Sequence, residues 1–247
     1  VAAGIAQPNQ TYGSRFAGPE TAKVAEVGIK GNWGIGSVNL TLFKETINGF
    51  QANTFTGTGF KLSNAGNQSV YGMEFEGMVR PTHELTLTSA VTYLKPKYDS
   101  FVASAFGDVS GTVPAGIAPL SMTMSATNDH EFDNGWHFIV RGDWHYESST
   151  QINDGLSGFI SKNAFNGAII SYAPALQAAQ AFRREVSEFD ASASIKLPNG
   201  LDFSVWGRNL TDNRYLGQVF DSVGQAKAVS GYPNQPRTFG IAVLWKY

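Results

Sequence analysis

Residues 238–247 read TFGIAVLWKY, and their alternation decides the fold class. Phe239, Ile241, Val243, Trp245 and Tyr247 fall on one side of an extended chain. Thr238, Gly240, Ala242, Leu244 and Lys246 fall on the other. A period of two is the mark of a strand with unlike faces. A soluble edge strand of this kind would be blunted by charge or proline. Between Phe239 and Tyr247 only Lys246 offers charge, and there is no proline. The strand therefore reads as one that turns an apolar face to lipid.

The same pattern recurs upstream. Trp136, Phe138, Val140, Trp144 and Tyr146 alternate with His137, Arg141, Asp143, His145 and Glu147. Tyr71, Met73, Phe75 and Val79 alternate with Glu74, Glu76 and Arg80. Further alternating runs start near Leu85, Leu120, Phe189 and Leu201. Together they predict about nine strands, near 21–30, 37–54, 67–80, 84–98, 119–131, 135–151, 185–197, 201–215 and 237–247.

The connections alternate in length. Short turns rich in Gly, Pro, Asn and Asp are expected at 31–36, 81–83, 132–134 and 198–200. Long connections are expected near 55–66, 99–118, 152–184 and 216–236. Short turns on one side and long loops on the other mark an outer-membrane barrel. A soluble β-sandwich has no reason to lengthen every second connection. In the third long connection Pro174 precedes helix formers, which predicts a short helix over 175–184. The expected fold class is thus all-β, a transmembrane antiparallel β-barrel.

Composition agrees with this and removes other classes. Mean hydropathy is −0.16, low because lipid-facing and lumen-facing residues alternate. No apolar run approaches the roughly 18 residues of a spanning helix. A net charge of −2 gives no basic face for nucleic acid, and the absence of cysteine removes disulfides and thiolate metal sites. The opening VAAGIAQPNQ has neither a basic nor an apolar signal segment, so an exported protein would have its true N-terminus elsewhere. Nine strands from one chain do not close antiparallel, so residues 1–247 are expected to be the C-terminal portion of one larger barrel domain.

The stretch GRNLTDNRY (Gly207–Tyr215) resembles the penultimate-strand motif of TonB-dependent receptors, and Pro236, Arg237 and Thr238 resemble the start of their final strand. GPETAKVAEVGIKG (18–31), LTLFKETINGFQ (40–51) and NAGNQSVYGMEFEG (64–77) resemble earlier strands of that family, in the same order. The resemblance implies the last nine strands of a twenty-two-stranded barrel, with the N-terminal plug and earlier strands outside this chain. It implies a bacterial outer-membrane protein with a periplasmic C-terminus and extracellular long loops. It implies active uptake of a scarce nutrient: a siderophore, cobalamin, haem or oligosaccharide. The partners implied are the TonB–ExbB–ExbD complex, reached through the plug region, and the small-molecule or oligosaccharide ligand. The barrel assembly machinery would recognise Phe239, Ile241, Val243, Trp245 and Tyr247. Outer-membrane lipid and lipopolysaccharide would surround the wall. The alternative is a passive porin without a plug.

For catalysis the residues offer nothing. No nucleophile–base pair, phosphate loop or zinc spacing stands out, and no cofactor or metal is expected. His137, Arg141, Asp143 and His145 share one face of a strand, and Glu74, Glu76 and Arg80 share a face of another. These could contact ligand or plug, or form the polar lumen wall that any wide barrel carries. His137 and His145 stand eight residues apart, about 27 Å at 3.4 Å per residue, too far to share a metal. Ligand contact is expected instead at 1–20 and at the four long connections, since loops of such length are uncommon without a use.

Overall fold

The computed structural model describes residues 17–55, 60–64, 66–102, 104–222, 224–225 and 227–246. In chain order the strands are β1 (Thr21–Trp33), β2 (Gly36–Asn48), β3 (Gln51–Phe55), β4 (Phe60–Asn64), β5 (Asn67–Val79), β6 (Leu85–Ser100), β7 (Leu120–Glu131) and β8 (His137–Gln151). They continue with β9 (Ser161–Lys162), β10 (Ile169–Ser171), β11 (Arg183–Lys196), β12 (Leu201–Arg208), β13 (Leu216–Asp221), β14 (Val229–Pro233) and β15 (Thr238–Trp245). A short 3-10 turn spans Ser157–Phe159, and an α-helix, α1 (Ala173–Gln180), precedes β11.

Nine of these strands form one antiparallel sheet in the order β1-β2-β5-β6-β7-β8-β11-β12-β15. The order is a simple meander of nine long strands, and within the described residues β1 and β15 are its open edges. The remaining strands pair as local hairpins: β3 with β4, β9 with β10, and β13 with β14.

Register gives the sheet two unlike faces. Gly31, Val38, Gly77, Ser89, Met124, Trp144 and Phe189 stand side by side across seven strands. One residue along, Lys30, Asn39, Glu76, Ala90, Thr123, His145 and Glu188 form the neighbouring row. Successive side chains of a strand point to opposite faces, so the first row is apolar and the second polar. The apolar face carries Phe138 and Val140 of β8, then Phe203 and Val205 of β12 against Val243 and Ile241 of β15. Tyr247, the last residue of the expected assembly signal, lies outside the described residues.

Strand ends depart from expectation where a backbone turn intervenes. The second strand was expected to reach 54. It stops at Asn48, because Gly49 takes φ +68 and turns the chain into the β3–β4 hairpin. The strand expected over 201–215 stops at Arg208, because Asn209 takes φ 49. The helix expected at 175–184 runs instead over Ala173–Gln180, with Arg183 already in β11. The connection 216–236 is itself a hairpin, β13–β14.

The packed core sits at the loop end of the sheet. Tyr98, at the top of β6, packs with Phe101, Phe106, Val109 and Ala175, and Phe50, Phe159 and Tyr172 close around them. A wall one residue thick has no interior of its own, so dense packing is left to the connections.

Candidate functional site

The polar face and the loop end together form the candidate site. On the face, Arg141 Nε donates to Asp143 Oδ2 at 2.8 Å, and its Nη2 reaches Ser125 Oγ at 3.3 Å. Ser125 Oγ also donates to Asp143, which ties β7 to β8. His145 contacts Thr123 at 3.2 Å and Glu147 at 3.4 Å, and Glu147 accepts from Arg184 at 2.7 Å. Nearer the turns, His137 pairs with Asp129 at 2.9 Å. Asn39 donates to Glu76 at 3.4 Å.

His137, Arg141, Asp143 and His145 of β8 and Glu74 and Glu76 of β5 therefore share one face. They do not converge on one point. Glu76 and His145 lie in one row but are separated by β6 and β7, which puts them about 14 Å apart at 4.8 Å per strand. Glu74 lies in the next row towards the loops. Each charged group has a neighbour on the adjoining strand or two residues along its own, apart from Glu74, for which the described residues show no such bond. The arrangement is a polar wall held by short local pairs rather than one converged cluster.

The long connections are built, not slack. Asp154 is the main rivet between two of them. Its Oδ1 accepts the Ala115 N–H at 2.9 Å and its Oδ2 accepts the Tyr98 hydroxyl at 3.3 Å. Burial pushes the Asp154 carboxyl above its ordinary range, and the two hydrogen bonds offset that only in part. Asp221 of β13 joins a third connection: it accepts from Ser157 Oγ at 2.7 Å and from the Gly158 N–H at 2.9 Å. Asn153 Nδ2 adds a bond to the Val219 carbonyl at 2.9 Å. Asp154 also borders a cavity of about 370 Å³, lined by Val109, Thr112, Ser149, Leu176 and Arg183 among others. The expected contact segments 1–16 and 56–59 lie outside the described residues.

A second cluster explains the sequence GRNLTDNRY. Asn209 is 3% exposed. Its N–H donates to Asp190 at 2.8 Å, its Nδ2 to the carbonyls of Asn213 and Gln235 at 2.9 and 3.0 Å, and its Oδ1 accepts the Asn213 N–H at 2.8 Å. Thr211 Oγ1 donates to the Ser187 carbonyl at 2.8 Å, and Asn213 Oδ1 accepts the Ser187 N–H at 3.0 Å. Asn234 Nδ2 bonds Glu188 at 2.9 Å and the Asn213 carbonyl at 2.8 Å. The motif is thus a clasp that fastens the top of β12 to β11 and to the approach of β15. Sequence reading found the string but not the clasp. It missed Asn234, Asp154 and Asp221 altogether, because a lone polar residue in a loop carries no periodic signal.

A meander of long two-faced antiparallel strands, crowned at one end by packed loops, is the wall of a transmembrane β-barrel. A family model described as the TonB-dependent receptor-like β-barrel matches residues 2–210. The chain belongs to that family, whose relatives of known structure are outer-membrane barrels and transport receptors. Among solved structures, the ferric yersiniabactin uptake receptor FyuA from Yersinia pestis superposes with a TM-score of 0.65 at 16% identity, covering 90% of this chain and 29% of that one. The siderophore receptor PiuA from Acinetobacter baumannii gives 0.61 at 15% identity, covering 92% and 28%. The copper transporter OprC gives 0.60 at 14% identity, covering 91% and 32%. At these identities the likeness shows the fold alone, and the chain spans about a third or less of each structure's length. No curated protein matches the chain.

Proposed function

We propose that this chain is the C-terminal part of the barrel wall of a TonB-dependent transporter that takes up a scarce nutrient across the outer membrane. Further strands and an N-terminal plug would complete it. The apolar face meets lipid, the polar face lines the lumen, the packed loops are external and the short turns periplasmic. Energy would come from the TonB–ExbB–ExbD complex acting on the plug, and the barrel assembly machinery would insert the wall through its last strand. One observation carries the reading: in a chain of this family, three long connections fold into a cross-bonded cap over the end of a polar-faced sheet. Such a cap holds polar groups in fixed positions at the mouth, which a passive pore does not need. The superposed structures handle ferric siderophores or copper by their names, so metal-bearing cargo is the class to test first.

The test uses the complete receptor in cells. Uptake of radioiron-labelled siderophores, and of copper, is measured with and without TonB, and with residues 157–180 replaced by a short linker. The reading expects uptake at sub-saturating cargo to fall by at least about tenfold on that replacement while the barrel stays folded. It also expects uptake to stop without TonB. Uptake that persists without TonB would mean a passive channel.

A further inference from the structure

The apolar face carries a feature that transport does not use. On β1 it runs through Ala25, Val27, Ile29, Gly31 and Trp33, and on β6 through Leu85, Leu87, Ser89, Val91 and Tyr93. Each run covers eight residue steps, about 27 Å along the strand at 3.4 Å per residue. With strands tilted by about 40° that is roughly 20 Å of height, close to the apolar band of about 25 Å on outer-membrane barrels. The next position of the same parity, on the loop side, is lysine on both strands: Lys23 on β1 and Lys95 on β6. Lys97 stands one step higher, and Lys44 follows Leu42 on β2.

Register gathers these four. Ala25, Lys44, Tyr71 and Lys95 form one row, and Lys23, Thr46, Ser69 and Lys97 form the next. The patch is therefore about three strand spacings wide, roughly 15 Å. Lys44 Nζ lies 5.0 Å from the centre of the Tyr71 ring. Among the described residues none of the four lysines forms an ion pair. Of the nearby acids, Glu45 has the opposite parity and faces the polar side, and Asp99 stands beyond Lys97 past a shift in register. The result is a net basic patch with no acid paired to it among the described residues, seated where the apolar band ends, beside Tyr71 and above Tyr93, tyrosines of the kind that mark a membrane interface. Lysine stems lie along apolar surface while their heads reach the headgroup layer.

We propose that Lys23, Lys44, Lys95 and Lys97 bind the phosphate-bearing headgroup of an acylated lipid in the loop-side leaflet, with its acyl chains lying on Met73, Tyr93 and the apolar rows below. This rests on the reading of the apolar face as lipid-facing and the loop end as external. Charge complementarity selects the occupant: an ammonium cluster against phosphate, directly above a surface that suits hydrocarbon.

The complete receptor in dodecyl maltoside is titrated with bisphosphorylated lipid A and with its dephosphorylated form, and bound lipid is counted by native mass spectrometry. The wild type is expected to hold the phosphorylated form at least about tenfold more tightly than the K23Q/K44Q/K95Q/K97Q variant, given the attraction each basic side chain adds near an anionic surface. The four Lys→Arg exchanges should retain binding. If the fourfold Gln variant does not fold, K95Q/K97Q alone is read and should weaken binding. Equal binding by the Gln variants, or equal binding of the dephosphorylated lipid, overturns the site. Residues 1–247 contain no cysteine, so I29C, in a receptor with any cysteine outside them replaced by serine, is labelled with bimane to report its surroundings. In vesicles with brominated acyl chains its fluorescence should be quenched. No quenching would sink the lipid-facing reading and the site with it, whereas quenching without lysine dependence would sink the headgroup site alone.

Discussion

Asn209 shows what one side chain can decide. It sits in the left-handed region at φ 49, where Asn is better tolerated than most residues. Buried, it gives two amide protons to carbonyls and accepts one backbone N–H. Asn209→Ala would strand those groups and add backbone strain, at an expected cost of about 3 kcal/mol. Asn209→Gly loses the same bonds without the strain, so it should cost about 1 kcal/mol less. Asn209→Asp keeps the acceptor but sets a buried carboxylate oxygen against the Asn213 and Gln235 carbonyls, so it should cost at least as much as Ala. Urea midpoints of the complete receptor in lipid vesicles check the order, and a wild-type midpoint for Asn209→Ala would refute the clasp. The motif was legible as a string of residues. Its partners were not, since Asp190, Gln235 and the Asn234–Glu188 pair lie 19, 26 and 46 residues apart along the chain.

At the scale of elements, sequence alternation was a good guide because it is the physical cause of the two faces. The parity of β5, β8 and β15 follows directly from Tyr71, Trp136 and Phe239 and their alternate neighbours. The ends of strands were less legible. They depend on single backbone angles, such as those of Gly49 and Asn209, and not on pattern. The short helix was misplaced by a few residues because β11 draws Arg183 into its ladder with Gln151. The faces themselves give a sharp test on β15. Val243 pairs with Phe203 on the apolar face, and Ala242 pairs with Ser204 on the polar one. Val243→Lys near the bilayer midplane should cost about 2–4 kcal/mol, and Ala242→Lys much less. Heat-modifiable gel migration and urea unfolding of the complete receptor would show it. Equal costs would mean that the faces are assigned wrongly.

Over the whole molecule, the cap was the least legible part. Phe101, Phe106, Val109, Leu156 and Ala175 are buried together or side by side, yet they are scattered over two connections with no period between them. Only the meander, by bringing the tops of β6, β8 and β11 together, makes them neighbours. The wall below is uneven. β2 and β5 pair along all 13 residues of each strand, but β11 meets β12 only from Ala191 to Lys196. Above that short ladder the clasp takes over, through Leu210, Thr211 and Asn213 on Phe189 and Ser187. Mechanically, the wall is a zipper whose briefest run of teeth is held shut by a separate catch. Pulled from its C-terminal end, the β12–β15 hairpin should be the first piece to come away, at a force set largely by that catch. In single-molecule pulling on the complete receptor in a membrane, Asn209→Ala should therefore lower the first rupture force and leave the later ones unchanged. A uniform drop across all peaks would show instead that the tension is shared along the whole ladder.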